Sequence, residues 1–238
     1  MNIISYSLYG YDKPFKKRGN RHQKHPIYIL GAIENAILRP IVYGDKWRCR
    51  FYCDESIPDC ILDTLIDLDC EIVIKTGDVS EGMFWRFLPV LGDERFIVRD
   101  TDSRLSLREK DAVDRWGVSG RPLHLMHDHH CHSGVLAGMW GGYKLDIPDF
   151  ESKMYSYIGT LDKDAASYLT CQKFLGDCFK RIDATIHEKE NLWTFPNDYT
   201  SYVGQVSYDY TRAKELLKLR GIKFKHVSMI LFGEEDED

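Results

Sequence analysis

The chain lacks an apolar run long enough to cross a bilayer, and its opening residues, MNIISYSLYG, lack the basic segment and apolar core of a secretory signal. No membrane-spanning helix is expected, and the expected location is the cytoplasm. It also lacks ordered cysteine spacing: seven cysteines, an odd number, are scattered along 238 residues. That argues against a disulfide framework and for a reducing compartment. Cys49, Cys53, Cys60, Cys70, Cys171 and Cys178 fall in apolar patterns, where a thiol serves as a small hydrophobe. No excess of basic charge is present either, since Lys and Arg number 32 against 37 Asp and Glu. Five of those acids are the last five residues, Glu234 to Asp238, so the body is balanced and the low pI belongs to a solvated tail. Nothing in this balance suggests a nucleic-acid partner. Neither an internal repeat nor a linker-like stretch divides the chain.

What is present suits one soluble, enzyme-sized α/β domain. Hydrophobic residues make up 43% and aromatics 13%, enough for a full core at the upper end of single-domain size. Short strand patterns alternate with helical ones. Ile3 to Tyr6, Trp47 to Cys53, Glu71 to Lys75 and Arg95 to Arg99 read as strands. Tyr28 to Leu38 reads as a helix stopped at Pro40, and Ser56 is the expected N-cap of a helix with a buried stripe at Ile61, Leu62, Leu65 and Leu68. Glu81 to Leu91 forms the next helix. Ser106 and Glu109 form a capping-box pair for a helix reaching Trp116, broken by Gly117 and Gly120, with Arg108 and Lys110 on its solvent side. Further helices are expected over Asp164 to Ile182 and Arg212 to Arg220, and a final strand over Phe224 to Phe232.

The most informative stretch is RFIVRDTDSR, Arg95 to Arg104, where an apolar strand opens into Asp100 and Asp102. Residues i and i+2 of a strand point the same way, so carboxylates emerging past its end can converge on one hard divalent cation, Mn²⁺ or Mg²⁺. Arg99 and Arg104 flank the pair, either as salt bridges or as phosphate contacts. Arg86 lies among Phe84, Trp85 and Phe87, so its guanidinium is buried and needs partners. Six basic residues against one acid between Tyr11 and Pro26 suit a solvated loop or a lid over a diphosphate.

Several blocks in order, namely IISYSLYG (Ile3 to Gly10), FYCDESIP (Phe51 to Pro58), GMFWRFLP (Gly82 to Pro89), VRDTDSRLSLRE (Val98 to Glu109), His124 to His132, GMWGG (Gly138 to Gly142) and FPNDYTSYVGQ (Phe195 to Gln205), give the chain its overall character. Together they resemble the single-domain, nucleotide-sugar-dependent glycosyltransferases of GT-A fold found in bacteria and large algal viruses. Two departures stand out. Where H-x-x-R-D-H-P is expected the chain has HLMHDHH, with His127 for the arginine and His130 for the proline, and where D-Q-x-F-L is expected it has Cys171 to Leu175, CQKFL.

The resemblance implies a Rossmann-like domain over residues 1–233, with a mixed, mostly parallel sheet flanked by helices. Residues 1–100 would mainly bind nucleotide and 101–233 mainly acceptor, with 234–238 the acidic tail. It implies transfer of a sugar, a pentose such as xylose or a hexose, from a nucleoside diphosphate donor such as UDP to a glycan hydroxyl, in the host cytoplasm if the source is viral. Ser5, Tyr6, Ser7, Asp54, Arg86, Arg99, Asp100, Thr101 and Asp102 would hold the donor, although Tyr6 equally suits the core. Asp102 would ligate the metal directly, Asp100 would reach the ribose or the metal through water, and His187 would complete the shell. Asp128 would be the catalytic base or sugar anchor. His129 and the GMWGG loop, through Met139, Trp140 and Gly141, would meet sugar and acceptor; Trp140 also suits the core, and Asp198 is a minor acceptor candidate.

The histidines between His124 and His132 support another class, a metal-dependent hydrolase, in which His127, His129 and His132 partly match H-x-H-x-D-H with Cys131 in the acid's place. The string Asp128 to Cys131 also spells the D-H-H-C signature of protein palmitoyltransferases, whose membrane spans and cysteine-rich region are missing here. A catalytically silent sugar-nucleotide-binding protein of the same fold is the third class.

Overall fold

The strand pattern of the first hundred residues builds the parallel half of a single sheet. A computed structural model describes residues 1–11, 26–161, 168–189, 201–207 and 215. Its strands are β1 (Asn2–Leu8), β2 (Trp47–Cys53), β3 (Glu71–Ile74), β4 (Phe96–Arg99), β5 (Leu123–His127), β6 (Met139–Gly142) and β7 (Ala184–Glu188). They lie in the order β3-β2-β1-β4-β6-β5-β7. β3, β2, β1 and β4 run parallel, β6 is antiparallel to β4 and β5, and β7 is parallel to β5. This is a Rossmann-like, mixed, mostly parallel α/β sheet, as expected.

Alternation along the strands sorts side chains onto two faces. Ile4, Tyr6 and Leu8 of β1 and Ile97 of β4 join one apolar cluster with α1 (Pro26–Val42), α2 (Asp59–Asp67) and α4 (Leu107–Ser119). Ile3, Phe96 and Val98 join the other, under α3 (Val79–Trp85), α5 (Phe150–Gly159) and α6 (Tyr168–Phe179).

Local departures have local causes. α1 continues through Pro40 to Val42, because a proline in the last turn removes only one backbone bond and the Tyr43 N–H still reaches the Arg39 carbonyl at 2.8 Å. Ser56 caps nothing: α2 begins after Pro58, and Ser56 turns instead to Asp54. The helix expected over Glu81 to Leu91 is α3, started by an Asp78–Glu81 capping box, followed by a 3₁₀ turn at Leu88–Leu91. α4 is capped by Ser106 but runs past Gly117 to Ser119, ending where Gly120 takes φ 74°. The GMWGG segment is no loop, since Met139–Gly142 is a central strand. The basic segment after Tyr11, Pro196 to Asp198, the helix expected over Arg212 to Arg220, the strand expected over Phe224 to Phe232 and the acidic tail lie outside the described residues, Glu215 excepted.

Candidate active site at the carboxyl ends of β1 and β4

In an open α/β sheet, ligands settle beyond the carboxyl ends of the strands where chain direction across the sheet reverses. Here that point lies at β1, whose neighbours are β2 on one side and β4 on the other. Tyr9 and Gly10 leave β1 there, and Asp100, Thr101 and Asp102 leave β4. The D-x-D pair therefore stands at the expected crevice.

Strand parity decides which of the neighbouring side chains belong to it. Ser5 and Ser7 point to the α3 face, where the Ser5 hydroxyl donates to the Arg86 carbonyl at 2.7 Å and the Ser7 hydroxyl accepts from the Arg86 N–H at 2.9 Å. The two serines thus clamp the backbone of Arg86, whose guanidinium forms an ion pair with Asp100 Oδ1. On the other side of Asp100, a Cβ placed on Gly138 would lie 1.9 Å from Asp100 Oδ2, so any side chain there would displace the carboxylate from its present position.

Asp102 follows on the same turn. Burial, then the neighbouring Asp100 charge, pushes its carboxyl up to about 7, while Arg86 acts in the opposite direction. The turn itself is fixed from below. Asn35 of α1 donates to the Ser103 carbonyl at 2.8 Å, and Gly31 lies so close to the Thr101 carbonyl that a Cβ would sit 1.8 Å from it. Arg104 pairs with the buried Glu34 and donates to the Thr101 carbonyl at 3.2 Å. From above, the Ser207 N–H donates to the Asp102 carbonyl at 3.0 Å and Ser103 bridges Val206.

Other residues expected at the donor site have their polar groups engaged within the protein or lie in the core. Arg99 points to the α4 face, 1% exposed, where its Nε meets Glu109 at 3.0 Å; it is a buried ion pair and not a phosphate contact. Tyr6 shares that face, stacked on Phe51 at 4.8 Å in the core. Thr101 is buried and contributes its carbonyl to the turn's internal bonds. Asp54 is buried and already engaged: Oδ2 accepts from the Gly10 N–H at 2.8 Å, and Oδ1 accepts from the Ser56 hydroxyl at 2.6 Å. It ties the end of β1 to the end of β2.

The expected sugar and acceptor residues also separate. Trp140 is fully buried among Phe87, Phe96 and Phe179, so it is core and offers no stacking face. Gly141 serves sheet packing, since a Cβ there would lie 2.7 Å from the Phe96 carbonyl. Met139 is buried with Ala112, Met126 and Val203. Asp128 is 0% exposed, and both oxygens are taken: Arg108 Nε and Nη2 donate to them at 2.6 and 2.5 Å, and the Val203 N–H adds a bond at 2.8 Å. A carboxylate so held is a positioning residue and not a base open to substrate. Arg108, expected in solvent, is its buried partner. His129 remains at the surface of the β5–β6 loop against Tyr202.

His187 does not reach the D-x-D turn. It lies on β7, three strands from β4, a separation on the order of 14 Å at ordinary strand spacing. Its Nδ1 is 2.9 Å from Nε2 of the buried His124, which stacks on Trp116. Burial leads the causes that hold both imidazoles below their ordinary pKa, His187 at about 4, so the pair is neutral near pH 7.

Some site residues were not singled out from the sequence. Tyr9 leaves β1 beside the crevice, its ring against Trp85 and so close to Gly82 that a Cβ there would lie 2.4 Å away. Its phenol is raised by burial and feels Arg86, Asp100 and Asp102. Gly138 opened the GMWGG block, but nothing in the sequence pointed it at Asp100. Arg108 did: it lies one helical turn before buried Ala112, on the inward stripe.

No protein-family model matches the chain, and no curated protein does. Among solved structures it is similar to the 4-diphosphocytidyl-2C-methyl-D-erythritol synthase of Anaerococcus prevotii DSM 20548, at 11% identity over 91% of this chain and 95% of that one, with a TM-score of 0.46. Another 4-diphosphocytidyl-2C-methyl-D-erythritol synthase is similar at 12% identity over 91% and 97%, with a TM-score of 0.34. Likeness at this level concerns the arrangement of strands and helices, and neither protein carries an argument about function here. Among the described residues, no helix is long and apolar enough to cross a membrane.

Proposed function

We propose that the protein is a metal-dependent glycosyltransferase that moves a sugar from a nucleoside diphosphate donor, UDP-linked, to a glycan hydroxyl. The observation that carries this reading is the placement of Asp100 and Asp102 at the β1/β4 crevice, with the Asp102 carboxyl raised to about 7. Two neighbouring carboxylates with one guanidinium, Arg86, paired to Asp100 fit a divalent cation, and oxygen ligands suit Mn²⁺ or Mg²⁺. Asp102 would be the direct ligand and Asp100 its neighbour. When bound, the ion would offset charge developing on the leaving diphosphate.

The chain's own residues do the rest. Ser5 and Ser7 set Arg86, Arg86 and Gly138 set Asp100, and Tyr9 flanks the entrance to the crevice. The Arg108–Asp128 pair holds the 201–207 segment, which in turn bonds to the Asp102 turn. The hydrolase reading needs His127, His129 and His132 together, but the His127 Nε2 is 2.6 Å from the Gly134 carbonyl and His124 is committed to His187.

A melting screen of nucleoside diphosphate sugars with and without Mn²⁺ tests the reading, because a ligand of the native state raises apparent stability by mass action. At least one UDP-sugar should raise the melting temperature in a metal-dependent way, and UDP should be released when a glycan acceptor is added. A shift without turnover would leave only the silent binding protein, and no shift with any donor would remove both.

A further inference from the structure

The loop between β5 and β6 gathers two imidazoles and a thiol well apart from the D-x-D pair in sequence. One ligand atom from each of His129, His130 and Cys131 lies within 4.8 Å of the others. The rings of His129 and His130 are 4.0 Å apart, tilted by 39°. Packing does not require this crowding, because His130 and Cys131 are exposed and Cys131 is a free thiol. The loop is nonetheless braced. The His132 N–H donates to the His129 carbonyl at 2.8 Å, and Tyr202 packs on His129 at 4.6 Å. The Cys131 N–H donates to His129 Nδ1 at 3.2 Å, a bond the ring gives up when either of its nitrogens takes a metal.

Coordination chemistry matches the donor set. Zn²⁺ takes imidazole nitrogen at about 2.0–2.1 Å and thiolate sulfur at about 2.3 Å, which in a tetrahedron puts ligand atoms about 3.3–3.6 Å apart. Exposed side chains close the remaining ångström by rotation. Thiolate and imidazole select zinc-like ions, whereas the carboxylates of Asp100 and Asp102 select Mn²⁺ or Mg²⁺. We propose that His129, His130 and Cys131 bind one borderline-soft divalent transition ion, of the Zn²⁺ class, with a fourth position open. This site does not depend on the donor chemistry proposed above.

Co²⁺, a spectroscopic stand-in for zinc, provides the test on the full chain with excess Mg²⁺ present. One equivalent should give a thiolate-to-cobalt charge-transfer band. Cys131→Ser should abolish the band, and His129→Ala or His130→Ala should each weaken binding by about tenfold or more, since even outer partners of a metal site contribute that much. Melting temperatures without metal confirm that each variant folds. A measurement free of substitution runs alongside: equimolar Zn²⁺ should protect Cys131 from alkylation, read by peptide mass. No band, a band that survives Cys131→Ser, unweakened histidine variants, or unprotected Cys131 would each overturn the site.

Discussion

Arg86 and Asp100 form an ion pair across the crevice, and the backbone of Arg86 is held at both N–H and carbonyl by the hydroxyls of Ser7 and Ser5. Gly138 lies against the other oxygen of Asp100, where a Cβ would come within 1.9 Å. Asp102 is the member of the pair whose charge the fold leaves least compensated, and several outcomes follow from that division.

For Asp102→Asn, the effects on stability and on metal response should separate. A carboxyl at about 7 in the fold and 3.8 when unfolded makes the metal-free protein less stable as pH rises from about 3.8 to 7. The amide removes that loss, so the metal-free melting temperature at pH 7.5 should be equal or higher, while the rise produced by Mn²⁺ should vanish. Scanning calorimetry with and without Mn²⁺ reads both, and an unchanged metal response would remove Asp102 as a ligand.

Gly138→Ala should disturb the site without adding or removing a charge. The new methyl meets Asp100 Oδ2 at 1.9 Å, so the carboxylate must leave its place beside Arg86. Mn²⁺-dependent donor binding should weaken by about tenfold or more, an effect of the size found when supporting partners of a metal site are lost. Titration calorimetry with UDP and Mn²⁺ checks it, and wild-type affinity would show that Asp100 has no fixed role.

How much was legible beforehand depended on whether the deciding contact was local. The β1–α1–β2–α2–β3–α3–β4 order and the position of Asp100 and Asp102 followed from apolar periodicity and strand ends, which are local properties. The fates of Arg99, Tyr6 and Trp140 did not, because strand parity assigns a face but only tertiary packing supplies Glu109, Phe51 or the aromatic cluster as partner. GMWGG read as a loop because its glycines suggest bends, yet Gly141 is needed where β6 closes on the Phe96 carbonyl. Asp128 looked catalytic because its partner, Arg108, was placed on the solvent side of α4 despite standing on the stripe of Ala112. His187 was separated from its partner His124 by 63 residues, a pairing no spacing announces.

Breaking the Arg108–Asp128 pair should cost stability before chemistry. Removing one member strands the other in a site of 0% exposure at Asp128, a loss of about 3–5 kcal/mol. Asp128→Leu should therefore lower the denaturation midpoint strongly, whereas Arg108→Met combined with Asp128→Leu should recover a large part of the loss. Urea denaturation of the single and double variants measures it, and full stability in Asp128→Leu would contradict the buried pair.

Acid should weaken the fold through His187. The neutral form is favoured in the fold, down to about pH 4, while the unfolded chain gains its proton near 6.5. Stability from this residue is complete above about 6.5 and is lost as pH falls toward 4, by about 3 kcal/mol at the lower end. His187→Asn should flatten that part of the pH profile in denaturation measurements, and an identical slope would show that His187 titrates normally.

The most direct measurement is calorimetric titration of UDP into the wild-type protein and Asp102→Asn, each with Mn²⁺ and with chelator. The D-x-D assignment predicts binding only for wild type with Mn²⁺, with both Asp102→Asn and chelator removing it. Equal UDP binding in all four conditions, or none in any, would contradict the assignment of the β1/β4 crevice as a metal–diphosphate site.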